Sequence, residues 1–199
     1  MLWMSNAAIV LCGGRSRRMG RDKAALPFGD ETMLERVVRI VRPVVDEVIL
    51  VAREGQQVVG GFRDIVRDPA EGLGPLAGLA AGLAAMRSER AFLTSSDVPL
   101  LRPEYVTRLF ELSDGRQAAV PHIGGYYMTT SAVYARSVLP VAERLLAQRR
   151  LRPFFLVEEV DARLVTADDL RDADPNLLSF RNCNEPGDYE AALRDAGFA

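Results

Sequence analysis

Leu11-Cys12-Gly13-Gly14-Arg15-Ser16-Arg17-Arg18-Met19-Gly20-Arg21-Asp22-Lys23 completes and follows the apolar run Ala7 to Leu11. That run has the length and composition of a buried strand. The two glycines let the backbone turn sharply and approach a ligand with no Cβ in the way. Arg15, Arg17, Arg18, Arg21 and Lys23 place five cations within thirteen residues. Successive backbone N–H groups in such a turn make a concavity for anions, and the cations add fixed positive charge. A phosphate-bearing ligand is the simplest reading; the alternative is an ordinary Gly-Gly turn leading into a solvated basic face. The stretch is neither GxxxxGK[ST] nor GxGxxG, so it supports neither a Walker A loop nor a Rossmann dinucleotide fingerprint.

The 199 residues suit one α/β domain with a sizeable core, and 48% hydrophobic with 26% charged residues is an ordinary globular balance. A net charge of −2 gives no general attraction to nucleic acid or to an anionic membrane. The basic loop is thus a local feature, suited to a small anionic ligand. Cys12 and Cys183 are far apart and form no CxxC pair, which argues against a structural zinc site or a disulfide framework. No apolar run approaches membrane-spanning length and no signal-like leader is apparent, so the expected location is cytoplasmic, with no membrane partner.

Beyond the loop, Ala24 to Phe28 leads into a turn at Gly29-Asp30-Glu31, and Thr32 is placed to cap a helix beginning at Met33, with Glu35 in its first turn. Leu34, Val37, Val38 and Val41 give that helix one inward face, and Pro43 marks its end. Glu47 to Ala52 reads as a strand and Ile65-Val66 as a weak one. A Gly/Pro-rich loop then opens onto an Ala/Leu/Gly helix over Leu76–Met86, whose Gly78 and Gly82 are read as packing residues. Strands at Ala91–Thr94 and Ala118–Val120 flank an amphipathic helix over Glu104–Leu112. This alternation predicts a mostly parallel sheet with right-handed crossovers. Further on, Tyr126 to Tyr134 is aromatic and β-prone, and Val138–Gln148 is helical with a cationic end at Arg149, Arg150 and Arg152. Phe154–Val157 and Val160–Val165 fit either strands or a helix–strand pair. Leu178–Phe180 reads as a late strand before a final helix over about Gly187–Ala196.

In a doubly wound sheet, ligands bind beyond the carboxyl ends of the parallel strands. The basic loop and Asp97 both follow strands and so share that edge. A carboxylate beside a polyphosphate suits Mg²⁺, which takes one or two protein carboxylates together with phosphate oxygens. From the residues alone, Asp97 could equally be a turn residue before Val98-Pro99.

The loop, read as Leu-x-Gly-Gly-x-Ser-x-Arg-Met-Gly-x-Asp-Lys, resembles the signature of the MobA-like nucleotidyltransferases, and its paired glycines most resemble the molybdenum cofactor guanylyltransferase branch. Three further segments resemble family motifs in the expected order: Asp68 with Gly74-Pro75-Leu76-Ala77-Gly78, Ser96-Asp97-Val98-Pro99, and Arg181-Asn182-Cys183-Asn184-Glu185-Pro186-Gly187-Asp188-Tyr189. The resemblance implies a Rossmann-like three-layer α/β/α fold. It implies a nucleotide held by Leu11, Cys12, Gly13, Gly14, Lys23, Asp68 and Asp97, a Mg²⁺ on Asp97, and an acceptor near Asn182 and Asn184. It also implies transfer of GMP from GTP to the phosphate of molybdopterin, with Lys23, Arg18 and Asp97 catalytic. Partner proteins that deliver molybdopterin or receive the product are a further implication.

Three departures stand out. Cys12 replaces a small alanine, Val51-Ala52-Arg53-Glu54 lacks the asparagine often found beside the base, and Gly124–Thr130 matches no family pattern. Tyr126 and Tyr127 either stack on a pterin or belong to a strand core, and His122 is read as structural. The alternatives are a cytidylyltransferase or another transferase of this fold with a different phosphate acceptor, and a non-catalytic nucleotide-binding protein.

Overall fold

The computed structural model describes residues 5–12, 23–58, 60–62, 65–68 and 72–198, and of Asp68 the backbone alone. In chain order the elements are β1 (Asn6–Leu11), β2 (Pro27–Phe28), β3 (Glu31–Thr32), α1 (Met33–Val41), β4 (Glu47–Arg53), β5 (Ile65–Asp68), α2 (Pro75–Ala85), β6 (Arg90–Ser95) and α3 (Pro103–Leu112). They continue with β7 (Ala118–Ile123), β8 (Tyr126–Tyr127), β9 (Ala132–Ala135), α4 (Leu139–Ala147), α5 (Pro153–Glu159), β10 (Ala162–Val165), α6 (Ala167–Leu170) and α7 (Pro186–Asp195).

The main sheet has the order β10-β7-β9-β6-β1-β4-β5, with β8 added to β7. β1 pairs in parallel with both β4 and β6, β4 with β5, and β7 with β10. β9 lies antiparallel between β6 and β7. The strand at the centre of the parallel set is the apolar run that precedes the basic loop. Ala7 to Val10 are wholly buried because each face of β1 is covered by helices. α1 and α3 cover one face, packing Leu34, Val37, Leu109 and Phe110 against Ala8, Val10 and Leu50. α2, α4 and α5 cover the other, packing Leu76, Leu79, Leu145 and Leu156 against Ile9, Val51 and Val120. The result is the three-layer α/β/α arrangement with a mostly parallel sheet that the alternation of elements predicts.

Local chemistry explains where the elements start and bend. Thr32 Oγ1 accepts from the Glu35 N–H at 3.2 Å, and Glu35 Oε2 accepts from the Thr32 N–H at 2.8 Å. This capping box opens α1 at the predicted residue. α2 opens at Gly74, whose φ of 75° lies in the left-handed region and favours glycine, with Pro75 in the first turn. Residues 153–159 form a helix and 162–165 a strand, which decides between the two sequence readings of that segment.

The late strand expected at Leu178–Phe180 is absent, and residues 177–181 form turns instead. Leu177 has a φ of 52°, the Ser179 N–H is taken by Asp174 Oδ2 at 2.8 Å, and the Arg181 N–H by the Leu178 carbonyl at 3.0 Å. The buried Asp174 side chain and the turn carbonyl accept N–H groups that a ladder would use.

Gly78 and Gly82 are packing residues, as the sequence reading holds. A Cβ on Gly82 would lie 2.7 Å from both Cδ1 and Cγ2 of Ile9, a wholly buried β-branched side chain in the central strand. A Cβ on Gly78 would come that close only to Leu11 Cδ2, a methyl at the end of a side chain that is not fully buried. Gly82→Ala is therefore expected to lower stability by roughly 1–2 kcal/mol in urea unfolding, overpacking outweighing the gain in helix propensity. Gly78→Ala is expected to cost less.

Candidate active site

The register of the sheet places the site. Leu11 lies opposite Val51 of β4 and Ser95 of β6, so these strands reach the carboxyl edge together. Beyond it, the Cys12 N–H donates to the Val51 carbonyl at 2.8 Å and the Ser96 N–H to the Leu11 carbonyl at 3.0 Å. The start of the glycine loop is thereby pinned between the end of β4 on one side and the Ser96-Asp97 turn on the other.

On the β6 side, three side chains from distant parts of the chain meet. Lys23 Nζ lies 3.3 Å from Asp97 Oδ2 and donates to Asn184 Oδ1 at 2.8 Å. Ser95 Oγ donates to Asp97 Oδ1 at 2.5 Å, so both carboxylate oxygens are directed by neighbours. Lys23 and Asp97 are each about 15% exposed, which reduces screening by water and strengthens their attraction. Lys23 is held because Ala24 and Leu26 beside it are buried and the Leu26 N–H closes a tight turn on the Lys23 carbonyl.

Asn184 is brought here by the backbone. The Cys183 N–H donates to the Asp97 carbonyl at 2.8 Å, and the Cys183 side chain is buried with Leu26, Phe28, Met33 and Ala192. Asp188 Oδ2 accepts from the N–H groups of Asn184 and Glu185, capping α7 and setting the angle at which residue 184 leaves it. Asn182 is half-buried on the same segment. Burial, with Asp97 and Asp188 nearby, pushes the Cys183 thiol up to about 12. Cys183 is expected to resist thiol-directed alkylation at pH 8 in native protein and to react on denaturation, as mass spectrometry would record.

On the β4 side, Gln56 Nε2 donates to the Cys12 carbonyl at 3.0 Å, and Gln56 Oε1 accepts from the Arg53 N–H at 3.2 Å. Asp68 ends β5 in register with Arg53. Gly13, Gly14 and Arg18, which the sequence nominates for the nucleotide and for catalysis, lie outside the described residues, as do the loop's other arginines.

Asp97 is the residue that could hold a metal. Among the described residues no group of three or more His, Cys, Asp or Glu side chains is arranged to bind one. A single oxygen-donor carboxylate suits a hard divalent cation whose other ligands are phosphate oxygens and water, and does not suit a cation caged by protein.

Ser95, Gln56 and Asp188 are positioning residues that the sequence reading did not select as site residues. Ser95 and Gln56 leave no motif, since their partners are a carboxylate two residues on and a carbonyl 44 residues back. The strand-core reading of Tyr126 is overturned: the side chain is 74% exposed, on the face of β8 opposite to that of Tyr127. Tyr127 is half-buried against His122 and Phe154, with ring centroids 4.5 and 5.1 Å away.

Residues 8–163 match the model of the MobA-like NTP transferase domain. A Methanosarcina mazei protein named "Probable molybdenum cofactor guanylyltransferase" is 38% identical over 205 residues, covering 96% of this chain and 91% of that protein. The crystal structure of molybdopterin-guanine dinucleotide biosynthesis protein A from Archaeoglobus fulgidus shares the fold, with a TM-score of 0.81 at 23% identity over 98% of this chain and 100% of that one. A Mycobacterium tuberculosis protein solved as a manganese complex also shares the fold, with a TM-score of 0.61 at 20% identity over 87% of this chain and 100% of that one. With the run Asn6–Leu11 as its central strand and Lys23 set against Asp97 at the carboxyl edge, this chain belongs to the MobA-like NTP transferase family.

Proposed function

We propose that this protein, acting as one domain over residues 1–199, transfers GMP from GTP to the phosphate of molybdopterin. An oxygen of the acceptor phosphate forms a bond to the α-phosphorus of GTP, and the bond from that phosphorus to the bridging oxygen breaks. Pyrophosphate leaves with the electron pair, giving molybdopterin guanine dinucleotide. The acceptor phosphate is already ionised at neutral pH, so the step needs no general base, in keeping with His122 packing against Tyr127. What remains for the protein is positioning and charge neutralisation.

The observation that carries this reading is the meeting of Lys23, Asp97 and Asn184 at the carboxyl edge, beside the start of the glycine loop. Lys23 supplies a cation for charge developing on the triphosphate, with Arg18 as a second. Asp97 would hold Mg²⁺, which when bound neutralises phosphate charge and orients the oxygens of the triphosphate. Ser95 fixes the Asp97 carboxylate, leaving little reorganisation for the moment of reaction. Leu11, Cys12, Gly13, Gly14 and Asp68 line the nucleotide, while Asn182 and Asn184 face the acceptor. Among the described residues no helix is long and apolar enough to cross a membrane, and a cytoplasmic location goes with this chemistry.

Calorimetric titration of GTP, CTP and ATP with Mg²⁺ tests the nucleotide part of the proposal. GTP is expected to bind most tightly, with the metal dependence lost in Asp97→Ala. Preference for CTP would place the chain with cytidylyl transfer instead.

A further inference from the structure

Lys23, Asp97 and Asn184 belong to three separate stretches of chain, and one guanidinium touches a neighbour of each. Arg36 stands near the start of α1, its side chain only 17% exposed. Its Nε donates to the carbonyl of Pro99, two residues after Asp97, at 2.7 Å. Its Nη1 lies 3.3 Å from Glu31 Oε1, in the β2–β3 hairpin that follows Lys23. Its Cζ lies 4.8 Å from the ring centroid of Phe28 in that hairpin, and 5.5 Å from that of Phe198 beyond the end of α7. Asn184 leads into α7.

Each contact is passed on to a site residue by the backbone. Pro99 is buried, so its carbonyl needs a donor, and Arg36 supplies one. The Ser96 N–H on the Leu11 carbonyl fixes the turn before Asp97, and the Arg36 bond fixes it after. Glu31 pairs with Phe28 across the hairpin, and both of its oxygens are also held by Arg39. From there the Met33 N–H bonds the Leu26 carbonyl, and the Leu26 N–H bonds the Lys23 carbonyl. Phe198 meets Phe28 edge-on with centroids 5.5 Å apart, while its N–H donates to the Leu193 carbonyl of α7. Tyr189 of α7 also donates to the Pro27 carbonyl, so helix and hairpin are joined twice.

We infer that Arg36 is a positioning residue for the reaction, holding the Asp97 turn, the Lys23 hairpin and α7 together so that Lys23, Asp97 and Asn184 meet. This rests on the reading of those three side chains as the reacting edge. The hydrogen bonds of Arg36 go to none of them, so its effect is exerted through the segments that carry them. The role needs an arginine. A planar fork donates from Nε and Nη1 in fixed directions while its face rests on aromatic rings, and a compact ammonium cannot do both.

The test uses Arg36→Lys and Arg36→Met, with wild-type protein and Asp97→Ala as references and folding verified by circular dichroism. One readout is the steady-state rate of pyrophosphate release with molybdopterin and GTP. The other, by calorimetry, is the ratio of GTP affinity with Mg²⁺ to that without. Both Arg36 variants should lose about 10- to 100-fold in kcat, the cost of misplacing reacting groups by about 1 Å, with little change in KM for GTP. The Mg²⁺ ratio should fall about tenfold, the lower end of the effect of removing an outer support of a metal ligand. Arg36→Lys keeps the charge and one donor, so it should be more stable to urea than Arg36→Met without recovering the rate. Wild-type kcat and Mg²⁺ ratio in folded Arg36→Lys would overturn the inference and leave Arg36 a stabilising residue only. So would a rate that falls only in proportion to the unfolded fraction. If Asp97→Ala kept the wild-type dependence on Mg²⁺, the reading of Asp97 itself would fail, and the role of Arg36 with it.

Discussion

Asp97→Asn is expected to lower turnover roughly a thousandfold, the upper end of what loss of one preorganised electrostatic group costs. The amide keeps the size of the side chain and can still accept from Ser95 Oγ, but it carries no charge to hold a divalent cation. The backbone bond from Cys183 to the residue-97 carbonyl does not involve the side chain, so the C-terminal segment should stay docked and unfolding should change little. Steady-state kinetics against metal concentration would register both parts: a large fall in kcat, and a metal requirement shifted upward at least tenfold. Full turnover in Asp97→Asn at the wild-type metal concentration would remove Asp97 from the chemistry.

Lys23→Ala is expected to cost about 10²- to 10³-fold in kcat, since it removes the cation placed to meet charge on the triphosphate. It carries a second effect of opposite sign. In this structure the Lys23 ammonium sits 3.3 Å from Asp97 Oδ2, where it competes with any divalent cation for the carboxylate. Without Lys23 that repulsion is gone, so binding of the bare metal in the absence of nucleotide should tighten several-fold while turnover falls. A merely structural lysine would not separate the two readouts. Lys23→Arg should recover little, because the guanidinium is a wide planar fork where the site holds a compact ammonium bonded to both Asp97 and Asn184.

Much of the frame is legible in the chain because it rests on local signals. The apolar run before the glycine pair is the central strand, Thr32 and Glu35 announce α1, and Pro75 and Pro103 mark the first turns of α2 and α3. Position puts Asp97 at the carboxyl edge, since the residues directly after β6 stand there, but choosing it over an ordinary turn residue rests on the resemblance carried by Ser96-Asp97-Val98-Pro99. Where sequence reasoning falls short, long-range contacts decide. Leu178–Phe180 has strand composition, yet Asp174 and Leu178 take N–H groups that would otherwise seek a neighbouring strand. Phe154–Val157 is too short for its period to distinguish helix from strand, and packing against the second face of the sheet makes it a helix. Gln56 joins Cys12 to Arg53 across a turn of chain that carries no motif, so the link between the start of the loop and the end of β4 emerges only from the folded chain.

The measurement that bears most directly on the central claim is product analysis after incubation with molybdopterin, Mg²⁺ and either GTP or CTP. The account predicts pyrophosphate and molybdopterin guanine dinucleotide in equal amounts from GTP, with both absent in Asp97→Asn over the same time. Formation of a cytidine dinucleotide in preference, or no pyrophosphate from protein shown to bind GTP, would contradict it.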